Sequence, residues 1–202
     1  MFLTNLKVCG ITTRETALFC ARAGIGALGA VFFKPSPRYV SPQQARALFE
    51  GLPPRIARVG VFVDLKAEEV IAIANVAALD TVQLHGNESP ADAAALRLAG
   101  FNVVKVLKST GKKLVADASL FPSDVGILVE SGRGTLPGGN GAAWDWAAAR
   151  PLSTRRPLGL AGGLTALNLI EATQAAHATA WDVSSGVETA PGVKDHGAVP
   201  QL

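Results

Sequence analysis

A cysteine, a glutamate and two glycine-bearing turns are the residues of this chain whose types and places could do chemistry. Cys9 closes the apolar run Leu6-Lys7-Val8-Cys9, and Gly10-Ile11-Thr12 turns the chain before a helical pattern begins. A thiol at a strand end, followed by a tight turn, sits where parallel α/β sheets expose their reactive groups. Structural cysteines more often lie mid-element as small hydrophobes. Cys20, inside Ala17-Leu18-Phe19-Cys20-Ala21, fits that description. Glu130 ends another apolar run, Val125–Glu130, and offers a carboxyl group for acid work. Leu160-Ala161-Gly162-Gly163-Leu164 and Val183-Ser184-Ser185-Gly186-Val187 end two more. Small residues there let backbone N–H groups approach an anion, and a following helix N-terminus adds a favourable dipole. Together the two turns point to a phosphorylated substrate; taken singly, each is only a tight turn.

These residues need elements to hold them. Short apolar runs recur at Leu6–Cys9, Ala27–Phe33, Arg58–Val63, Thr81–Leu84, Val103–Leu107, Val125–Glu130, Pro157–Ala161 and Trp181–Ser184. They read as strands covered on both faces. Helical patterns alternate with them at about Thr13–Ala23, Pro42–Phe49, Ala67–Val76, Pro90–Ala99, Asp145–Ala149 and Ala166–Ala175. Thr12, three residues before Glu15, predicts a capping box, and Ser41-Pro42 supplies an N-cap with a first-turn proline. Gly24 and Gly100 mark helix ends. Lys108–Ser119 reads as a short or imperfect helix, and 192–202 has room for two turns at most.

About eight strand–helix units fill the chain without a linker, so residues 1–202 read as one domain. Repeated β-α units give a parallel sheet with right-handed crossovers. Eight of them close into a (β/α)8 barrel of the TIM type, here with a short or incomplete eighth helix. The wall left uncovered could take a partner subunit. An open doubly wound sheet would show Gly-x-Gly-x-x-Gly after the first strand, and Cys9-Gly10-Ile11-Thr12 is not that.

Composition narrows the function. With 49% hydrophobic and 17% charged residues, the chain is not disordered. No run reaches the roughly 18 apolar residues of a membrane span, and the first residues lack a signal-peptide pattern. Two cysteines give no disulfide framework, so a cytoplasmic location is expected. The net charge of +3 is scattered, and only 6% of residues are aromatic, so nucleic acid is not the expected partner. No His, Cys and carboxylate spacing suits a metal, and no cofactor is expected.

In a barrel, the active site gathers at strand C-termini and the loops after them. That rim collects Lys7 and Cys9, Arg38 within Lys34–Tyr39, Asp64, Gln83 and His85, Lys105, Glu130, Gly162-Gly163, and Asp182 with Ser184-Ser185-Gly186. Pro137-Gly138-Gly139-Asn140-Gly141 after the sixth strand reads as a flexible loop or a lid.

Seven segments, taken in order, carry a resemblance. They are Lys7-Val8-Cys9-Gly10-Ile11-Thr12, Ser36-Pro37-Arg38-Tyr39-Val40-Ser41, Val59-Gly60-Val61-Phe62-Val63, Val82-Gln83-Leu84-His85-Gly86, Gly138-Gly139-Asn140-Gly141 with Trp144-Asp145-Trp146, Leu160–Leu164, and Asp182-Val183-Ser184-Ser185-Gly186-Val187-Glu188. In combination, over nearly the whole length, the chain resembles the phosphoribosylanthranilate isomerases of tryptophan biosynthesis.

That resemblance implies an Amadori rearrangement of a small phosphorylated aminosugar. Cys9 maps onto the base, with Lys7 on the same strand face expected to favour its thiolate. Glu130 stands where the family pattern has an aspartate as general acid. The extra methylene changes reach by roughly an ångström, a distance to which catalysis is sensitive; Asp182 is the nearest substitute, although it matches a substrate contact. Arg38 resembles the arginine that faces the anthranilate carboxylate, and His85 lines the pocket. Gly162, Gly163, Ser184, Ser185 and Gly186 match the phosphate-binding turns. A monomer or homodimer is implied. Two rivals stay open: another phosphosugar enzyme of amino-acid biosynthesis, and a barrel that binds a phosphosugar with little or no turnover.

Overall fold

The computed structural model describes residues 6–109, 113–131 and 144–202. Along the chain run β1 (Leu6–Cys9), α1 (Arg14–Arg22), β2 (Ala27–Val31), α2 (Pro42–Phe49), β3 (Ala57–Phe62), α3 (Ala67–Val76), β4 (Thr81–Leu84) and α4 (Pro90–Leu98). There follow β5 (Asn102–Ser109), α5 (Lys113–Ser119), β6 (Gly126–Ser131), α6 (Arg150–Ser153), β7 (Leu158–Ala161), α7 (Leu169–Ala176) and β8 (Ala180–Val183). The eight strands pair in sequence order, and β8 returns to pair parallel with β1, closing the barrel expected from the β-α repeat. Among the described residues no helix is long and apolar enough to cross a membrane.

Strand alternation sorts the side chains into two sets. One packs outward beneath the helices in the large apolar cluster that includes Val8, Leu28, Phe62, Val82, Ile127 and Leu160. Burying each such side chain contributes about 1.5–3 kcal/mol. The other set fills the barrel interior: Ala27, Val59, Val104, Val106, Leu128 and Ala161 below, then Cys9, Val31 and Val61 nearer the C-terminal rim. Gly29 on β2 shows how tight the interior is. A Cβ there would lie 2.9 Å from Cys9 Sγ and 3.1 Å from Lys7 Nζ, so the missing side chain makes room for both.

Local signals set most helix ends. Ser41 caps α2 in a reciprocal capping box with Gln44, with Pro42 in the first turn, and Ser89 with Asp92 repeats the device on α4. Three expectations need correction. The cap of α1 is Thr13, not Thr12, with Thr13 accepting from Thr16 N at 3.3 Å. Thr12 is committed elsewhere: its hydroxyl donates to Gly192 O at 2.7 Å, tying the loop after β1 to the C-terminal segment. Lys108 and Ser109 belong to β5, because they continue the ladder opposite Glu130 and Ser131. The helix expected at Asp145–Ala149 is a 3-10 turn, Trp146–Ala149, continued by only four α-helical residues.

The eighth helix is short, as expected, yet its place is not simply empty. A hairpin of β9 (Glu188–Ala190) and β10 (Val193–Lys194) follows β8, and a 3-10 turn covers Val199–Gln201. His196 stacks on Phe19 with ring centroids 4.2 Å apart and lies 3.3 Å from Thr16 Oγ1, pinning this segment to α1. His177 is exposed, in the left-handed conformation that ends α7.

Candidate active site

A cavity open to solvent lies at the C-terminal rim. Cys9, Arg38, His85, Glu130 and Asp182 all line it, together with Gly162, Gly163, Ser184 and Ser185. Residues from six segments far apart in sequence thus share one space. Lys7 lies beneath it, and Gly186 sits within the same β8 turn.

Lys7 and Asp182 are register partners across the β1–β8 closure. Lys7 is wholly buried, and its Nζ sits 2.7 Å from Asp182 Oδ2. Burial works against the ammonium, but Asp182, with Cys9 beside it, outweighs that and raises the Lys7 pKa. Cys9 behaves differently from the expectation that Lys7 would secure a thiolate. Burial dominates and pushes the thiol up; Lys7 and Lys194 pull it down without prevailing, and Asp182 adds to the rise. The lysine acts in the expected direction, but burial outweighs it. Cys20 in α1 is buried and pushed up to about 11, as suits a packing cysteine.

Across the cavity, Glu130 Oε1 is 2.8 Å from His85 Nε2. The longer glutamate is therefore anchored rather than loose. Gln83, two residues before His85 on β4 and on the same face, is fully buried. Its amide nitrogen lies 3.2 Å from Asp182 Oδ2 and 3.5 Å from His85 Nδ1. A line of polar groups thus joins Lys7, Asp182, Gln83, His85 and Glu130 through the barrel interior.

The small-residue turns have the backbone freedom expected of them. Gly162 and Gly163 take φ of 85° and 70°, in the left-handed region that glycine tolerates. A Cβ on Gly186 would run into the carbonyl oxygen of Leu164, so the turns after β7 and β8 are packed against each other. Asn168, which sequence reasoning missed, holds the first turn: its Nδ2 donates to Gly163 O, and its Oδ1 accepts from Thr165 N, both at 2.8 Å. The expected helix dipole is weak after β8, where only the 3-10 turn Ser185–Val187 follows.

Comparison with known proteins agrees with this fold. The family described as N-(5'phosphoribosyl)anthranilate (PRA) isomerase matches residues 6–202. The chain belongs to that family. The N-(5'-phosphoribosyl)anthranilate isomerase of Nitrosospira multiformis is 43% identical over 195 residues, 96% of this chain and 92% of the relative. The crystal structure of phosphoribosyl anthranilate isomerase from Thermus thermophilus superposes with a TM-score of 0.89 at 38% identity, covering 98% of this chain and 96% of that one. A third phosphoribosyl anthranilate isomerase was solved in complex with reduced 1-(o-carboxyphenylamino)-1-deoxyribulose 5-phosphate. It matches at 35% identity with a TM-score of 0.87, covering 98% of this chain and 95% of that one.

Within this phosphoribosylanthranilate isomerase family member, two rim cations are held by carboxylates of the protein itself. Arg38, expected to face a substrate carboxylate, lines the cavity and is also paired with a carboxylate inside the protein. Glu188 takes its Nε at 2.9 Å and its Nη2 at 2.6 Å, and Lys194 Nζ reaches the same carboxylate at 2.6 Å. Lys194 also donates to Ser184 O at 3.1 Å, and Ser184 Oγ donates to Cys9 O at 3.1 Å. No spacing signal marked Lys194, because it lies in the segment read as a stunted helix. Lys105 is buried, but its Nζ turns to Glu88 at 2.7 Å and Gly86 O at 2.6 Å, bracing the loop after β4 rather than lining the cavity. The cluster Gly138–Gly141, read as a loop or lid, lies outside the described residues. Among the described residues no three His, Cys, Asp or Glu side chains gather as a metal site.

Proposed function

We propose that this protein is the isomerase that converts N-(5-phosphoribosyl)anthranilate to 1-(2-carboxyphenylamino)-1-deoxyribulose 5-phosphate in tryptophan biosynthesis, in the cytoplasm, as a monomer or homodimer. The observation that carries the reading is the shared cavity. A thiol and a carboxyl group from opposite sides of the barrel line it, and two glycine-bearing turns line its remaining wall.

In this mechanism the phosphoryl group sits against the backbone of Gly162, Gly163, Ser184, Ser185 and Gly186, and the anthranilate carboxylate lies toward Arg38. Glu130, as general acid, gives a proton to the ribose ring oxygen. The C1–O bond breaks as the anilino nitrogen's lone pair forms the C1=N bond of a Schiff base. Cys9, as general base, takes the C2 proton; the C–H pair becomes C1=C2 while the C=N pair returns to nitrogen. The enolamine then tautomerises, C1 gaining a proton and the C2 hydroxyl losing one to give the ketone. Asp182 Oδ1 is buried and without a partner among the described residues, which suits an acceptor for a substrate hydroxyl. Burial raises the Cys9 pKa, so Cys9 serves as base only once its own proton has passed to solvent, and the adjacent Lys7 ammonium favours the thiolate that remains.

The direct test is loss of anthranilate-type fluorescence when phosphoribosylanthranilate is mixed with the protein. Turnover at a rate above about 1 per second is expected, within the usual enzyme range. Tight binding of a product analogue with no turnover would instead support the binding-barrel alternative. Turnover only of another phosphosugar would replace the substrate.

A further inference from the structure

The line of polar groups between Asp182 and Glu130 contains one neutral link, and its orientation is forced. Asp182 Oδ2 accepts from the Lys7 ammonium at 2.7 Å, and a lysine ammonium can only donate. The Gln83 group facing that oxygen at 3.2 Å must therefore be its NH2, because turning the amide over would set its oxygen against an acceptor. The price is visible: Gln83 Oε1 is buried with no partner among the described residues. The same amide nitrogen faces His85 Nδ1 at 3.5 Å, a long contact that still places a donor there. A neutral imidazole whose Nδ1 meets a donor carries its hydrogen on Nε2. That nitrogen is 2.8 Å from Glu130 Oε1.

We propose that Gln83 is a positioning residue that fixes the Nε2–H tautomer of His85, so that His85 donates to Glu130 Oε1 and leaves Oε2 to carry the transferable proton. Oε1 accepts in both states of Glu130, as a carboxylate oxygen or as the C=O of the acid. The arrangement therefore survives proton delivery without reorganising, and only Oε2 gains or loses hydrogen. It also accounts for the departure from aspartate at this position. The additional methylene is taken up by a fixed donor, so reach is set by His85. This role rests on the isomerase reading for its consequence in catalysis, but the tautomer itself does not.

The test uses the whole protein, labelled with nitrogen-15 at its three histidines, and long-range proton–nitrogen correlation spectra at a pH where the rings are neutral. His177→Gln and His196→Gln variants assign the His85 signals. A protonated Nε2 with an unprotonated Nδ1 is expected at His85; a protonated Nδ1 overturns the proposal. In Gln83→Leu the preference for Nε2–H should be lost, and kcat should fall about 10- to 100-fold, as for other residues that orient a catalytic group, with KM changing by less than about threefold. A folded Gln83→Leu protein that keeps the Nε2–H tautomer and parental kcat also overturns it. If that variant does not fold, the parental spectrum decides alone. Failure of the isomerase reading shows separately, as absence of turnover in the parental protein whatever its His85 tautomer.

Discussion

The Arg38 guanidinium and the Glu188 carboxylate meet fork to fork, at 2.9 Å and 2.6 Å, while Lys194 binds the same carboxylate from the hairpin after β8. Two cations and one anion are thus buried together beside the cavity. The planar arginine is held in one orientation before any ligand arrives, which lowers the entropy lost on binding. The hairpin thus brings a glutamate and a lysine to the rim.

Replacing Glu188 should be costly. Glu188→Gln leaves Arg38 and Lys194 buried without their counter-charge, a change that typically costs about 3–5 kcal/mol. Burial works to raise the Glu188 pKa, but Arg38 and Lys194 together hold it below the usual carboxylate value. With a depressed folded pKa, the contribution of ionised Glu188 is complete above its unfolded value, about 4.3. It is lost as the pH falls through the lower folded value. Urea unfolding should show the widest gap between parent and variant above about pH 5, narrowing in more acid solution. A gap that grew on acidification would contradict this assignment.

Cys9→Ser is nearly isosteric, so unfolding free energy should change by less than about 1.5 kcal/mol. If the thiol is the base, kcat should drop by about 10²- to 10⁴-fold. Stopped-flow turnover alongside denaturant unfolding separates the two effects. Parental kcat in the serine variant would remove Cys9 from the mechanism.

The buried thiol should also reveal its state chemically. Because burial outweighs the neighbouring lysines, alkylation of Cys9 by iodoacetamide should be slow at pH 7 and rise with pH beyond the free-thiol value of about 8.5. Measuring it in a Cys20→Ser background isolates Cys9, the other thiol being pushed up to about 11. Fast alkylation at pH 6 would mean that Lys7 wins over burial.

Glu130 and Asp182 can be separated by their variants. Glu130→Gln keeps an oxygen to accept from His85 Nε2 at the 2.8 Å contact but carries no acidic proton, so kcat should fall about 10²- to 10⁴-fold. Asp182→Asn disturbs both the Lys7 and Gln83 contacts and should raise KM as well as lower kcat. A fully active Glu130→Gln protein would pass the acid role to Asp182.

Much of this protein was readable along the chain. Alternating apolar runs and capped helices specify a β-α repeat because buried parallel strands and amphipathic helices have different periods. The ends of those runs named Cys9, Glu130 and both glycine turns, since a barrel exposes its chemistry at strand C-termini. Strand parity placed Lys7 with Cys9. Other features depended on contacts between residues far apart in the chain. Thr12 is tied to Gly192 O, far along the chain, while its neighbour Thr13 caps α1. Arg38 is engaged by Glu188, and Gln83 by Asp182, only because closure of β8 onto β1 brings those carboxylates across. Likewise the Cys9 pKa reflects burial against two lysines, a balance of distances that residue order does not encode. Local periodicity chose the architecture and the rim; the partner of each buried charge was decided by the closed barrel, where desolvation requires every such charge to find one.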